Sequence, residues 1–439
     1  MRLRTLTTGG VLLLAVLIMS CSDKPTEPEP PSPTLLEQLQ ALDGCTIEEI
    51  EPPSGAHYTR AFRIYITQPV DHNNPTGETF TQRMFLSHVD EDAPLVLVTW
   101  GYDVQNNRSF ELAEMLQANQ LYVAHRYHGD NHPDPFNWAD LTVQQAAADH
   151  HRITGIFKGI YTGPWVNYGI SKGGGTAVLH RRFYPDDVTA TVAVVAGFFS
   201  STHDPRVDEF LTNTVGTEDC RSRIRELQCL ALSRRESLLP LYENYAQTMG
   251  YSYTRIGGIE AAFELDVLEY SYIFWQYYDE AECDLIPDES ISDEELFNYL
   301  QRIAGVDFYR DAMCDLLECA FYQLYTQLGY YGFVTEHLDT LLDVLGNDPS
   351  YEFMAPQNVA LNFDPTVKQD LVQWLETEGN NIIYVYGGLD PNTAAALSPG
   401  AGTNSISIIQ PGANHMLWIN DLDRRQEVLD SLYSWLDLE

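Results

Sequence analysis

Gly169-Ile170-Ser171-Lys172-Gly173 set a serine between two glycines where the pattern changes, from the apolar run Pro164–Tyr168 to the helix-compatible run Lys172–Phe183. A serine on a sharp strand-to-helix turn has a strained backbone, and such a turn needs residues without a Cβ two positions to either side of it. The hydroxyl then stands at the end of a strand, with the free amides of the next helix aimed at any negative charge that develops beside it. The pentapeptide alone is also a common plain turn. Its weight comes from Asp390, which ends Tyr386-Gly387-Gly388-Leu389-Asp390, and from His415, in Gly412-Ala413-Asn414-His415; each follows a strand-like run. A serine hydroxyl is unreactive without a base in hydrogen-bond reach, and an imidazole base needs a carboxylate to orient it and stabilise its charged form. Asp-Pro by itself is an ordinary turn and a lone histidine is ordinarily a surface residue. The chain order Ser171, Asp390, His415 is what favours nucleophile, orienting acid and base. The backbone N–H of Lys172, with a second N–H from the loop after Pro94–Trp100, would form an oxyanion hole. Tyr102 is the candidate second donor, its bland alternative being an aromatic packed over the turn.

These side chains need a scaffold that brings three distant loops to one edge. The stretch Phe62–Val89 alternates in strand fashion about a turn at His72–Gly77, which predicts an antiparallel hairpin. Pro94–Trp100, Leu121–His125, Pro164–Tyr168 and Thr189–Val195 are apolar runs suited to strands buried on both faces, and Phe110–Asn119, Thr142–Tyr161 and Lys172–Phe183 between them have helical spacing. This alternation predicts an α/β class with a mainly parallel sheet, and the triad order points to the α/β-hydrolase fold. From Ser200 to about Gln357 the spacing is helical only, over Ile224–Leu232, Leu238–Met249, Ile259–Tyr278, Asp293–Ala304, Tyr309–Leu328 and Leu338–Leu345. That predicts a helical cap over the site. Asp370–Glu378 and Arg424–Leu436 read as helices, Asn381–Tyr386 and Ser405–Ile409 as strands. The expected division is a signal peptide over 1–20, a tether over 21–40, the first part of the body over 41–199, the cap over 200–357 and the second part of the body over 358–439.

The chain has 439 residues, with 63 acidic against 25 basic side chains and a formal charge of −38. So acidic a surface repels phosphate backbones, which sets nucleic acid aside as a partner. Aromatic content of 12% argues that the charge is not that of a disordered chain. Arg2 and Arg4 precede a short apolar stretch, Val11–Met19, which ends at Leu17-Ile18-Met19-Ser20-Cys21. That ending resembles a bacterial lipobox with Cys21 lipidated. Ser22 follows where an inner-membrane retention signal would place aspartate, so the expectation is an exported lipoprotein of the outer membrane or cell surface. Lys24–Thr34 reads as a proline-rich spacer. Cys45, Cys220, Cys229, Cys283, Cys314 and Cys319 remain, an even count that in an exported chain allows up to three disulfides. His125, His128 and His132 near Asp130 are spaced too loosely for a metal site, and the helical pair His150-His151 points apart. No metal or cofactor is expected. The aromatic run Tyr270–Tyr278 reads mostly as core, with one end lining the cleft.

His125-Arg126-Tyr127, Trp138 with Leu141, Gln145-Ala146 through Asp149-His150-His151-Arg152-Ile153, Ser171-Lys172-Gly173-Gly174 and Arg181-Arg182-Phe183-Tyr184-Pro185 form a longer string. Phe274-Trp275-Gln276, Cys283, Ile286-Pro287, Leu328-Gly329-Tyr330, Tyr386-Gly387, Asp390-Pro391 and His415 continue it. Together they resemble the secreted bacterial tripeptidyl-aminopeptidase family of serine peptidases, over roughly residues 45–437. The resemblance implies a helical cap and an acyl-enzyme mechanism on Ser171, Asp390 and His415. It further implies release of short peptides, tripeptides above all, from substrates with free amino termini. An acidic residue of the cap would then pair with the substrate ammonium, and Glu269 is the candidate. Ala124, Asn392, Gly197-Phe198 and Gly175 depart from the family pattern near the expected cleft, so they bear on substrate preference. An esterase using the same triad, and a degenerate hydrolase serving as a surface binding protein, are the competing readings.

Overall fold

The computed structural model describes residues 33–346 and 348–438; the expected signal peptide, Cys21 and most of the spacer lie outside them. Helix α1 (Leu35–Gln40) comes first and is closed by a capping box in which Thr34 and Glu37 bond reciprocally. Leu35 and Leu39 are buried from it, so the tether expected as far as residue 40 gives way to a docked helix at Leu35. Strands β1 (Cys45–Ile50), β2 (Arg60–Pro69) and β3 (Thr79–His88) follow, then β4 (Leu95–Thr99), α2 (Glu111–Met115), β5 (Asn119–Val123) and α3 (Val143–Phe157). Next come β6 (Trp165–Ile170), α4 (Lys172–Phe183) and β7 (Ala190–Val194). The chain re-enters the body through α11 (Thr366–Thr377), β8 (Ile382–Gly387), β9 (Ile406–Gln410) and α12 (Arg425–Leu436), after an insertion whose helices are ranged below.

The nine strands form one sheet in the order β1-β2-β3-β5-β4-β6-β7-β8-β9. β1, β2, β3 and β5 pair antiparallel, and every pairing from β5 through β9 is parallel. This is the α/β-hydrolase arrangement. Strands β4 to β8 are buried at every position except Ile170, which explains their uninterrupted apolar sequence. Apolar clusters fill both faces of the sheet. β1 carries only partly buried and exposed residues, so it had no apolar run by which the sequence could announce it. Helix α2 is shorter than Phe110–Asn119 because Gln117 turns to φ +48° and Asn119 already begins β5.

Between β7 and β8 the described residues contain no strand. The insertion holds α5 (Pro205–Glu209), α6 (Glu218–Ser233), α7 (Arg235–Met249), α8 (Ile259–Tyr277), α9 (Asp293–Ile303) and α10 (Asp311–Gln323), the last running on as a π-turn through Leu328. They surround a core of their own, which Phe199, Leu389 and Ala395 of the body join. The expected helix over Leu338–Leu345 is absent. The buried Glu264 carboxylate accepts the N–H groups of Asp343, Val344 and Leu345, which a helix would have needed for its own carbonyls. The leucine spacing there reports which residues face the core rather than a helix.

Among the described residues one disulfide, within the expected limit of three, joins Cys220 on α6 to Cys283, while Cys45, Cys229, Cys314 and Cys319 are free. Parity counts cysteines but not where packing sends them. Cys314 Sγ lies against Met354 Sδ, and Cys319 Sγ donates to Tyr127 O at 3.1 Å, so each is spent as a buried contact.

Candidate active site

Ser171 sits between β6 and α4 with φ 55° and ψ −128°, a backbone conformation that L residues rarely adopt. Its own N–H is held by Val194 O at 2.8 Å, which ties the turn to the neighbouring strand. A Cβ at position 169 would overlap the Gly173 carbonyl, and one at 173 would lie 2.7 Å from Thr99 O. Both glycines that the sequence singled out are therefore required by close backbone approach. The Lys172 N–H is the first of α4 and is among those a helix leaves without an internal partner.

Strands β6, β8 and β9 are parallel, so the loops that follow them share one edge of the sheet. Ser171, Asp390 and His415 follow those three strands. His415 Nδ1 lies 2.7 Å from Asp390 Oδ2. With its proton on Nδ1 facing the carboxylate, the ring keeps the Nε2 lone pair for other work. Asp390 Oδ1 is held separately, accepting from the Asn392 backbone N–H at 3.0 Å and from its Nδ2 at 3.2 Å. Asp390 thus caps a 3₁₀ turn and orients the histidine with one carboxylate. The turn reading of Asp-Pro is realised, and the same carboxylate meets His415. Ser171 and His415 line the same cavity without a direct hydrogen bond between them, an arrangement that commonly closes only around substrate.

That cavity measures about 480 Å³ and lies between the body and the insertion. Helix α8 presents Glu269, Tyr272, Ile273, Gln276 and Tyr277 to it, a set spaced along one helical face. Glu269 is buried, and its oxygens accept from the hydroxyls of Tyr331, at 2.6 Å, and Tyr351. Burial pushes its carboxyl up to about 8, the tyrosine hydrogen bond opposing only part of that cost. Tyr272 stacks on Tyr331 with ring centroids 3.5 Å apart, and Tyr330 and Tyr309 also line this end. A carboxyl ringed by tyrosines is an environment suited to a cation.

Tyr102 faces the cavity, its carbonyl bound by the His125 N–H and its ring 5.6 Å from Lys172 Nζ. The Lys172 ammonium donates to Gly101 O and to Gln323 Oε1 of α10 at 2.9 and 2.8 Å, and burial pulls it down to about 7. His125, His128 and Asp149 have other work. The two imidazoles are buried edge to face and held well below the usual histidine range, first by desolvation and then by Lys172. Asp149 forms a buried bidentate pair with Arg126, both contacts at 2.7 Å. Sequence reasoning missed Asn392 as a site residue in its own right. Its Oδ1 accepts from Tyr272 at 3.1 Å, so it joins the insertion to the Asp390–His415 pair. The signal was there in its position two residues after a capping aspartate.

Residues 28–433 match the family described as PS-10 peptidase S37. The chain belongs to the peptidase S37 family. Over 440 residues this S37 chain is 32% identical to the prolyl tri/tetrapeptidyl aminopeptidase of Streptomyces mobaraensis, across 99% of this chain and 91% of that one. The family resemblance read from the motifs is borne out. Similar solved structures include a proline iminopeptidase-related protein from Thermus thermophilus, at 13% identity, with a TM-score of 0.38 and coverage of 85% of this chain and 98% of that one. The proline iminopeptidase of Mycobacterium smegmatis stands at 12% identity and a TM-score of 0.38, with 85% of this chain and 98% of that one covered.

Proposed function

We propose that this chain is a serine exopeptidase that releases short peptides, tripeptides above all, from free amino termini through an acyl-enzyme. One observation carries the reading. A serine at a strained strand-to-helix turn and an Asp390–His415 pair open into a cavity whose other face offers a buried carboxyl among tyrosines.

Ser171 Oγ attacks the scissile carbonyl carbon as its proton passes to His415 Nε2, and Asp390 stabilises the imidazolium. The tetrahedral oxyanion is met by the Lys172 N–H at the amino end of α4, with the Tyr102 N–H as the second donor. Collapse breaks the C–N bond while His415 returns the proton to the departing amine. Water, deprotonated by the same imidazole, then frees the peptide acid and restores the serine. Glu269 receives the substrate ammonium, and the insertion acts as a cap that admits chain ends.

The test is a mixture of peptides with free and blocked amino termini, its products read by mass. Only the free set should lose short amino-terminal fragments, and Ser171→Ala should cut turnover by roughly four to six orders of magnitude with its fold unchanged. Equal cleavage of the blocked set would favour an esterase-like or endopeptidase activity, and activity retained by Ser171→Ala would remove the nucleophile. The leader supports an exported lipoprotein anchored through Cys21. Cys21→Ser should then move the protein from the detergent phase to the soluble fraction, and an unchanged distribution would count against the anchor.

A further inference from the structure

The histidine hands its proton to the departing amine, so the departing chain lies on the histidine side. That side opens outward, with Tyr277, Met416 and Trp418 exposed around His415. The enclosed parts of the cavity therefore hold the acyl half of the substrate. One part ends at Glu269. Another arm is lined by Ala146 and Ala147 of α3, Gly175 and Leu179 of α4, Phe198, and Leu324 and Leu328 of the turn after α10.

Gly175 is the third of three consecutive glycines at the start of α4. The first two are accounted for by packing, since a Cβ on Gly173 would crowd Thr99 O and one on Gly174 would lie 2.9 Å from Ala196 Cβ. At Gly175 the nearest atom to such a Cβ is Phe198 Cζ, at 3.7 Å, an ordinary contact. No neighbour demands a glycine there, and glycine weakens a helix. The position faces the cavity and stands one helical turn below the nucleophile, its N–H bonded to Ser171 O at 3.1 Å. Facing it, α3 contributes Ala146 and Ala147, again small residues.

Resting on the exopeptidase reading, we propose that this arm is the pocket for the side chain of the residue whose carbonyl is attacked, and that Gly175 keeps it deep enough for a large apolar side chain such as Leu or Phe. None of its named wall residues is acidic, and Lys172 lies one turn away on α4, so a cationic side chain would enter without a partner and be excluded.

The experiment uses peptides with free amino termini that differ only in that residue, as Ala, Pro, Leu, Phe or Lys. The wild-type protein should cleave Leu and Phe with kcat/KM at least tenfold above Ala, and Lys worst of all. Gly175→Leu should lower kcat/KM for Leu and Phe ten- to hundredfold while leaving Ala within about threefold. Ala147→Leu, which fills the arm from the other helix, should repeat this pattern, so a folding defect at one position cannot decide the matter. Gly175→Ala should fall between, with thermal unfolding no lower than wild type. A wild-type enzyme that does not discriminate among these peptides or that cleaves Pro better than Leu and Phe, or losses equal across the series in both leucine variants, would overturn the pocket. Failure of the wild type to cleave any of them would overturn the exopeptidase reading instead.

Discussion

The two oxygens of Asp390 are held differently, one by the imidazole and one by Asn392. Asn392 is itself fixed, because the Tyr272 hydroxyl donates to its Oδ1 and so turns its Nδ2 toward the carboxylate. Hydrogen bonds to charged groups contribute roughly 1.5–3 kcal/mol each. Asn392→Ala should therefore lower kcat about ten- to hundredfold with KM nearly unchanged. Asn392→Asp, which keeps the shape but loses the donor, should fail as badly, whereas Tyr272→Phe should cost less than tenfold. Steady-state kinetics on the three variants checks this, and a loss confined to KM would refute the positioning role. Glu269 makes a pH argument. Its carboxyl is raised from 4.5 to about 8 by burial, so between those values the folded protein holds a proton that the unfolded chain has released. Its contribution to stability is complete below about 4.5 and is lost as pH rises through about 8. Chemical unfolding of Glu269→Gln across pH 5–9 should show a flatter fall in stability than wild type. Binding of an ammonium at neutral pH should also release a proton, which calorimetry in buffers of different ionisation enthalpy would register and which Glu269→Gln would abolish.

Helix α4 was legible from its residues to both termini, because a serine between two glycines marks its start and no proline follows until Pro185. Helix α8 was legible as a helix, but not as the wall of a site. Tyr270, Phe274 and Trp275 are buried against the insertion while Tyr272, Gln276 and Tyr277 face the cavity, so apolar residues occupy every side and no periodicity singles out the functional face. Gly174 puts the close packing of α4 to a test. A methyl there meets Ala196 Cβ and two carbonyls of adjacent strands. Gly174→Ala should therefore destabilise by roughly 1–3 kcal/mol despite the better helix propensity of alanine, as read by denaturant midpoints. The Cys220–Cys283 bridge closes 63 residues across the insertion. Its removal by Cys220→Ser with Cys283→Ser should cost roughly 2–4 kcal/mol, appearing as a lower unfolding temperature.

At the scale of the whole molecule, the mainly parallel sheet followed from the alternation of buried strands with helices, since local pattern carries that information. The Cys220–Cys283 pairing and the structure of residues 338–345 did not, because both depend on which distant groups packing brings near. Glu264, far away in the chain, decides the backbone of Asp343–Leu345. The charge of −38 has its own consequence. Like charges oppose compaction, and salt screens them over about 10 Å at 0.1 M. The unfolding temperature should rise on going from low salt to about 0.3 M sodium chloride; a flat response would mean that local ion pairs already offset the repulsion.

His415, the base of the proposed triad, is not carried by the body alone. Its backbone N–H is bound by Gln276 O at 3.0 Å, and the neighbouring Asn414 amide by Tyr278 O, so the last turn of α8 latches the loop on which the base rides. Any swing of the insertion wide enough to let an internal stretch of polypeptide reach Ser171 must first unfasten those two bonds and let the base drift. Intact folded proteins nearby would then meet a gaping but idle blade, and safety would come from the same joint that shapes the chamber.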